Sequence, residues 1–377
     1  MNLTFGPKLG LAIATAIISP VAAQLCDVGN LEIKSQVELN HLVQNCTALA
    51  GQLTLGKYYT GSLVFHNVTN ITSSTITAVS GTADSGVTSI ELPDLVTAGS
   101  FAVNGITTLE KLSFPKLEYV EHLSLWFSAM VDELEFPSLR NASEIQLNGN
   151  FSKVSFDALQ TVYGALEICN TELCHEDLSA QTLMNISLAA LEHVMRLDVS
   201  GKVSSLAAPE LTTVALPGSA GFPDLRLSLK GQPVAVTFPK LEHIVENATA
   251  YFQGNITSLS SLPALKTYPW LFNVITDESL DIDLPVENAG QINLQGNIQS
   301  ASFPNLRNFT WVAVMTDSKF DCDSLLDALE QTATNVTVVK DVNVICDTGA
   351  GRRLKSLGGG SMAAMTAVVT LVGLLLF

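Results

Sequence analysis

Residues 117–139 read LEYVEHLSLWFSAMVDELEFPSL, and the spacing of apolar residues in this stretch recurs along the chain. Apolar residues follow Leu117 at the third, sixth and eighth positions, and a Phe-Pro step then leads to the next repeat leucine, Leu139. Leu95, Leu117 and Leu139 are spaced 22 residues apart (117 − 95 and 139 − 117). Such a period is typical of a parallel solenoid, because one coil takes about 20–29 residues.

Further copies of this spacing indicate that most of the chain is built from the same unit. The copies are Leu95/Ala98/Phe101/Val103, Leu139/Ala142/Ile145/Leu147, Leu191/Val194/Leu197/Val199 and Leu306/Phe309/Val312/Val314. Apolar-Pro steps precede many repeat leucines, at Leu92-Pro93, Phe114-Pro115, Phe136-Pro137, Phe238-Pro239, Leu262-Pro263 and Phe303-Pro304. Each coil of a solenoid supplies short strands whose inward side chains stack on those of the next coil. The sequence therefore predicts an all-β, leucine-rich parallel β-solenoid.

The composition suits a large apolar core and argues against nucleic-acid binding. Of the 377 residues, 47% are hydrophobic and 15% are charged, and the formal net charge is −17. A nucleic-acid-binding surface needs clustered Lys and Arg to neutralise phosphates, whereas the basic residues here are scattered. We therefore expect no nucleic-acid partner.

Residues 1–23 have the pattern of a secretory signal peptide. Lys8 precedes an apolar run at residues 9–18, and Val21-Ala22-Ala23 provides the small residues that a signal peptidase reads. The run is too short to cross a bilayer, which takes about 20 apolar residues. We expect the mature chain to begin at Gln24 and to follow the secretory pathway.

The C-terminal region, residues 347–377, matches a signal for attachment of a GPI lipid. Three small residues at 349–351 are followed by a polar spacer at 352–361 and an apolar tail at 362–377. This order fits a spacer of about 8–12 residues and a tail of about 10–20. A membrane-spanning tail is less favoured, because no Lys or Arg follows the apolar run. The predicted attachment residue is Gly349, with Asp347 and Ala350 as alternatives.

Removal of both signals would leave a more acidic chain at the cell surface. Four of the 19 basic residues lie in the removed segments and all 36 acidic residues remain, so the formal charge becomes 15 − 36 = −21. The predicted location is the outer leaflet of the plasma membrane, held there by the GPI lipid. Transfer of the protein to the cell wall is the alternative.

Six cysteines agree with a secreted chain, in which disulfides persist. They fall in three pairs that are close in sequence, and this local pairing is a prediction because six cysteines allow 15 pairings. The pairs are Cys26 with Cys46, Cys169 with Cys174, and Cys322 with Cys346. The alternative for Cys169, Cys174 and His175 is a metal site, but their spacing matches no standard zinc pattern.

Short capping helices are predicted at both ends of the solenoid. A helical apolar pattern lies between Cys26 and Cys46 and another between Cys322 and Cys346. A solenoid exposes an apolar cross-section at each end, so a helix held by a disulfide would cover it. Asp323 or Ser324 is the expected N-cap of the second helix.

Acceptor sequences for N-glycosylation are frequent in the region between the two signals. Ten Asn-x-Ser/Thr sites occur there, at Asn45, Asn67, Asn70, Asn141, Asn150, Asn185, Asn247, Asn255, Asn308 and Asn335. Each occupied site must lie at the surface, because the glycan is bulky and hydrated. Several of them, such as Asn141, Asn150 and Asn255, adjoin strand patterns and are therefore expected at turns of the coil.

Carboxylates and histidines offer no strong catalytic pattern. The densest acidic stretch holds Asp277, Glu278, Asp281 and Asp283. Asp281 and Asp283 would share one strand face, which a polysaccharide hydrolase could use, but a solvated edge is the simpler interpretation. Glu192-His193 and Glu242-His243 each follow a repeat leucine, which identifies them as part of the repeat. We predict no catalytic, cofactor-binding or metal-binding residue and no cofactor.

Aromatic side chains provide the basis for a third possibility, a lectin or receptor module. If exposed, Trp and Phe rings could stack on sugars, although packing in the core is favoured for most of them. The rings concerned are Trp126, Phe127, Trp270, Phe272 and Trp311.

The Phe-Pro-x-Leu-x-x-Val steps and the end-capping cysteine pairs resemble the receptor L-domain, a short right-handed β-solenoid of insulin-receptor-type ectodomains. With both processing signals, the chain resembles fungal GPI-anchored cell-wall organisation proteins over residues 26–346 and the tail. The resemblance implies a non-enzymatic surface protein needed for wall assembly and integrity, with wall glucan or other wall proteins as partners. Relatives often carry a Ser/Thr-rich stalk, which is lacking here after Cys346, so we expect the solenoid to lie close to the membrane.

The predicted organisation follows from these observations. Residues 24–168 form the N-terminal half of the solenoid with its cap, 169–186 an irregular disulfide-bearing connection, and 187–346 the C-terminal half with its cap. The alternative function is binding or remodelling of wall polysaccharide, as a lectin or a β-helix glycosidase would do. Carboxylates that converge from adjacent coils would favour that alternative.

Overall fold

The chain folds into a coil of short strands. The computed structural model describes residues 24–78, 86–126, 131–170, 182–214, 225–244, 248–262, 265, 270–333, 342–349 and 352–357. The first thirteen strands are β1 (Leu25–Ile33), β2 (Ala48–Leu55), β3 (Thr60–Val64), β4 (Asn70–Ala78), β5 (Gly86–Glu91), β6 (Thr97–Asn104), β7 (Lys111–Ser113), β8 (Tyr119–Trp126), β9 (Glu133–Glu135), β10 (Asn141–Asn148), β11 (Lys153–Ser155), β12 (Thr161–Cys169) and β13 (Met184–Ser187). The others are β14 (His193–Ala207), β15 (Thr213–Val214), β16 (Leu225–Thr237), β17 (His243–Ile244), β18 (Thr249–Ser261), β19 (Leu271–Asp283), β20 (Gln291–Ser302), β21 (Trp311–Thr316), β22 (Val342–Asp347) and β23 (Arg352–Leu357).

Strands of successive coils pair in parallel, which confirms the predicted all-β parallel solenoid. In β6, β8 and β10, Phe101 pairs with Leu123, and Leu123 pairs with Ile145. Each step is 22 residues (123 − 101 and 145 − 123), so the period of the repeat leucines is the length of one coil. Among the described strands, only β22 and β23 form an antiparallel pair.

The strands lie in two rows along the coil. The first row contains β2, β4, β6, β8, β10 and β12, and the second contains β3, β5 and β7 and then β9, β11 and β13. The long strands β14, β16, β18, β19 and β20 run through both rows; β14, for example, pairs first with β12 and then with β13. β12 and β14 are direct neighbours, so the first row continues past the predicted connection that begins at Cys169.

Glycines allow the long strands to turn the corner between the two rows. Gly254 and Gly296 occupy this corner with φ of +103° and +99°. A Cβ on Gly254 would lie 1.8 Å from the carbonyl oxygen of Leu229 in the preceding coil. Only glycine fits here, because both the backbone angle and the close approach exclude a side chain.

The core is a continuous column of inward-facing side chains. Phenylalanines of the Phe-Pro steps stack along it, with ring centroids 5.9 Å apart for Phe114 and Phe136 and 4.7 Å for Phe136 and Phe156. The repeat leucines Leu117 and Leu139 are buried beside them. Burial of these large apolar side chains is the main source of stability.

Helix α1 (Gln36–Val43) closes the N-terminal end, as predicted. The Ser35 side chain accepts a hydrogen bond from the Glu38 N–H at 3.2 Å, which satisfies a donor at the helix start. Leu39 and Val43 face the core. A disulfide joins Cys26 to Cys46 and so fastens β1 to the segment that follows the helix.

Helix α2 (Cys322–Ala333) closes the C-terminal end, and the predicted disulfide between Cys322 and Cys346 is present. The predicted N-cap was wrong, because the cap is Asp321 rather than Asp323 or Ser324. The Asp321 carboxylate accepts hydrogen bonds from the Ser324 N–H at 3.1 Å and from its hydroxyl at 2.7 Å. Neither helix of the described chain combines the length and apolar character needed to span a membrane.

Candidate functional site

The predicted attachment residue lies in an exposed turn directly after the last parallel strand. Gly349 follows β22 with φ of +69°, and its N–H donates to the Asp347 carboxylate at 3.1 Å. The turn leads into β23, which pairs antiparallel with β22 and contains the first six residues of the predicted spacer. The alternative site Ala350 and residues 358–377 lie outside the described residues. Cleavage after Gly349 would separate β23 from the solenoid.

The predicted glycosylation sites that the structure describes all retain surface exposure. Asn45, Asn67, Asn185 and Asn308 are exposed, and Asn70, Asn141, Asn150 and Asn255 are half-buried. The remaining two, Asn247 and Asn335, lie outside the described residues. Burial therefore does not prevent glycan attachment at any of the eight described asparagines.

The middle cysteine is oxidised. Cys169 is disulfide-bonded and fully buried. Its predicted partner Cys174 and the neighbouring His175 lie outside the described residues. Within the residues that the structure does describe, no three His, Cys, Asp or Glu side chains come together as a metal site.

The acidic stretch at the end of β19 does not form a convergent site. Asp277, Asp281 and Asp283 are exposed and Glu278 is half-buried. Asp281 and Asp283 share the outer strand face, as predicted, and Asp281 accepts a hydrogen bond from the Ser300 hydroxyl of the next coil. This arrangement is a solvated edge.

The Glu-His dipeptides occupy equivalent places in two coils that flank the coil of Thr213. His193 and His243 both pair with Thr213, and each imidazole lies within 4.0 Å of the glutamate that precedes it. Their side chains are about half exposed. The two dipeptides therefore belong to the repeat rather than to one site.

Most of the five aromatic rings were expected in the core, but two of the four that the structure describes are exposed. Trp126 is 47% exposed and Trp270 is 51% exposed, whereas Phe272 is fully buried. Trp311 is half-buried, and Phe127 lies outside the described residues. Trp126 faces outward because it follows the inward Leu125 on β8 and strand residues alternate between faces.

A row of charged and aromatic side chains on the outer face of the first row was not predicted. Glu167 pairs with Asp198, Asp198 with Arg226, and Arg226 with Tyr251, on the successive strands β12, β14, β16 and β18. We call these four residues the charged row. Asp198 lies between the buried Leu197 and Val199, so its side chain points away from the core. Adjacent strands are about 4.8 Å apart, which brings the two carboxyl-bearing residues close together.

One member of the charged row, Asp198, is buried although it lies on an outward face, and the other three are half-buried. Asp198 is 9% exposed and accepts a hydrogen bond from the Ser200 hydroxyl at 3.1 Å. Arg226 lies over the Tyr251 ring, with 5.6 Å between Cζ and the ring centroid. Burial raises the pKa of the Tyr251 phenol, and the positive charge of Arg226 partly opposes that rise.

Two arginine donors at the charged row are unsatisfied. The Nε atoms of Arg226 and of Arg196, which precedes Asp198 on the same face of β14, are buried without a hydrogen-bond partner among the described residues. Buried donors normally have a partner, so an acceptor from a ligand would stabilise them. The arrangement combines carboxylates, buried cationic donors and an aromatic ring.

Varying coil length explains why the charged row is not visible as a repeat. Its members are separated by 31, 28 and 25 residues (198 − 167, 226 − 198 and 251 − 226), against 22 in the regular coils. A search at fixed period therefore does not align Glu167 with Asp198. Only the register of paired strands does so.

No protein-family model, curated protein or solved structure matches this chain.

Proposed function

We propose that this protein is a non-enzymatic, GPI-anchored and N-glycosylated surface solenoid that organises the assembly and integrity of a fungal cell wall. The observation that carries the proposal is the position of Gly349, in an exposed turn two residues after β22. The Cys322–Cys346 disulfide fastens β22 to α2, so a lipid attached at this turn would hold the whole solenoid directly.

The described glycosylation sites support a protein that faces the wall rather than one that is enclosed in a complex. The exposed sites Asn45, Asn67, Asn185 and Asn308 are distributed from the first cap to the last coils. Glycans there would keep neighbouring solenoids apart and would hydrate the surface. Wall glucan and other wall proteins are the proposed partners, and the outer leaflet of the plasma membrane is the proposed location.

Release from intact cells by phosphatidylinositol-specific phospholipase C, with the mass of the new C-terminal peptide, tests the anchor. Release with a terminus near Gly349 supports the proposal. Retention in the membrane with Phe377 intact overturns it in favour of a single-pass protein. Resistance to both phospholipase and detergent indicates covalent transfer into the wall.

A matched pair of variants separates anchoring from folding. Gly349→Leu should block attachment, because the residue at the site must be small. Gly105→Leu is the control, since Gly105 is also an exposed turn residue, with φ of +70° against +69°. Loss of surface protein in both variants would show a folding defect rather than an anchoring defect.

The charged row favours a second candidate function, binding or remodelling of a wall polysaccharide. Carboxylates from adjacent coils are the arrangement that glycoside hydrolysis uses, and buried guanidinium donors and an aromatic ring suit sugar hydroxyls and ring faces. The test compares the double variant Glu167→Gln/Asp198→Asn with Asp281→Asn/Asp283→Asn, an exposed pair on one strand. The second candidate function would be supported if the first variant alone no longer bound glucan or no longer released reducing ends from it. Equal behaviour of both variants and the parent chain would reject it.

A further inference from the structure

The C-terminal cap leaves part of one strand without a neighbour. β20 pairs with β19 as far as Ser302, but it pairs with β21 only from Gln291 to Gly296. Beyond Gly296, the chain after β21 forms α2 instead of another second-row strand. Within the described chain, residues 299–302 therefore have no strand partner on the side away from β19. Such an edge presents backbone N–H and C=O groups that can pair with another strand.

A cavity lies between this open edge and α2. Its volume is about 820 Å³, and it is lined by two walls. One wall is residues 299–305 with Arg307, and the other is Phe320, Asp321, Ser324, Leu325, Ala328, Leu329 and Gln331. Ser302 and Asn305 are exposed on the strand wall, and Ser324 and Ala328 are exposed on the helix wall. A groove between a strand edge and a helix is the arrangement into which extended peptides add as an extra strand.

The core is less well sealed at this cavity than elsewhere. Phe303 is 7% exposed, whereas the phenylalanines at the same repeat position in other coils, Phe114, Phe136, Phe156 and Phe238, are 0–1% exposed. Ala301 is only partly buried against the core, and Phe320 on the opposite wall is 9% exposed. An apolar side chain entering from outside would complete the packing that a further coil provides at the other positions.

The charges around the cavity indicate the charge of the occupant. The lining itself contains one carboxylate, Asp321, and one cation, Arg307. Asp281 and Asp283 lie on β19, next to the strand wall. A segment with Lys or Arg would therefore be favoured over an acidic one.

We propose that the groove between residues 299–302 of β20 and helix α2 binds an extended segment of a partner protein, which adds as a parallel or antiparallel strand. The segment has an apolar side chain that enters beside Phe303 and a Lys or Arg that lies near the carboxylates of Asp281, Asp283 and Asp321. Backbone hydrogen bonds to β20 supply affinity, and the two side chains supply specificity. The inference concerns the fold alone and is independent of the anchor and of the charged row.

Selection from a displayed library of random peptides of about ten residues, against the full chain, tests this proposal. Selected peptides are expected to alternate apolar residues with residues that include Lys or Arg. Ala328→Trp, which fills the groove from the helix wall, should weaken their binding by about tenfold or more, as loss of a central contact does. Asp327→Trp is the matched control, since Asp327 is exposed on the same helix outside the cavity lining. Ser302→Trp fills the groove from the strand wall if the helix variant does not fold.

Amide hydrogen exchange supplies the structural readout. The Ser302 carbonyl accepts a hydrogen bond from the Leu284 N–H on the β19 side, and successive residues of a strand point to opposite sides, so the amides of Gln299 and Ala301 face the open edge. Those two amides should exchange in the free protein and become protected with a selected peptide. Protection already present without peptide would overturn the proposal, because the chain itself would then cover the edge. Failure to select any peptide that distinguishes the parent chain from Ala328→Trp would also overturn it. A carbohydrate result would overturn it as well. If soluble glucan oligosaccharides bind the parent chain, compete with the selected peptides and do not bind Ala328→Trp, the cavity is a carbohydrate site.

Discussion

The carbonyl oxygen of Thr276 lies 1.9 Å from the position that a Cβ on Gly296 would occupy. The two residues are paired at the corner where β19 and β20 pass from the first row to the second. Gly296→Ala should therefore destabilise the protein by about 2–4 kcal/mol, from backbone strain at φ of +99° together with the displaced carbonyl. The midpoint of unfolding in guanidinium chloride measures this loss.

The variant Gly105→Ala separates the cost of backbone strain from the cost of the close contact with a carbonyl oxygen. Gly105 has φ of +70°, but nothing lies within 4 Å of the position that a methyl group would occupy at this turn. We expect a loss of only about 1 kcal/mol, the usual strain of a non-glycine residue in the left-handed region. Equal losses at both positions would show that the coil spacing relaxes around the added methyl group.

Phe136 is the central ring of the phenylalanine stack, and its removal tests whether that stack stabilises the regular coils. Phe136→Ala should cost about 3–5 kcal/mol, because the rings of Phe114 and Phe156 on either side leave a cavity that cannot easily collapse. Tyr163→Ala is the control, since Tyr163 is 55% exposed and should change stability by less than about 0.5 kcal/mol. Similar thermal unfolding of the two variants would contradict a packed column.

The parts of the fold that could be predicted are those that repeat at a fixed interval. Leu95, Leu117 and Leu139 mark coils of equal length, so their spacing alone places the inward residues of β6, β8 and β10. The cysteine pairs at both ends could be predicted for a similar reason, because an open solenoid needs a cap where its repeat stops.

The parts that could not be predicted depend on contacts between coils of unequal length. Asp198 becomes buried on an outward face only because β14 lies between β12 and β16, and loops of different length hide that register. Trp126 is exposed because strand alternation after the inward Leu125 decides its direction, and a prediction made for the aromatic residues as a group does not include this effect. The open edge of β20 exists because α2 takes the place of a strand after β21. The amino-acid composition does not indicate where this replacement occurs.

The Cys322–Cys346 disulfide should contribute about 3 kcal/mol, because it closes a loop of 24 residues in the unfolded chain. Replacement of both cysteines by serine, followed by calorimetry, measures the loss. The double replacement of Cys26 and Cys46 is a matched comparison, since that loop spans 20 residues and chain entropy predicts nearly the same effect. A much larger loss at the C-terminal pair would show that the disulfide also holds α2 against the core.

The Asp94 carboxylate contacts the turn at Asn67, a predicted glycosylation site, and its protonation affects stability in acid. Its carboxylate accepts hydrogen bonds from the Lys116 ammonium at 2.9 Å and from the Asn67 N–H at 3.2 Å, and Asn67 itself has φ of +66°. The hydrogen bond from Lys116 is the largest cause of a lowered pKa at Asp94, and that from Asn67 adds to it. Because the pKa is lower in the folded state, the interaction stabilises the protein above the unfolded pKa of about 3.9 and is lost as the pH falls through the folded value.

Lys116→Met should therefore raise the pKa of Asp94 toward its usual value and start acid unfolding at a higher pH. Lys230→Met is the control, because Lys230 is exposed, carries the same charge and belongs to a distant strand, β16. Circular dichroism as a function of pH, from about 5 down to about 2, covers the range over which carboxylates protonate. If the pH of acid unfolding shifts equally in both variants, net charge rather than the contact between Asp94 and Lys116 governs acid stability. The Asn67 turn would then be independent of this ion pair.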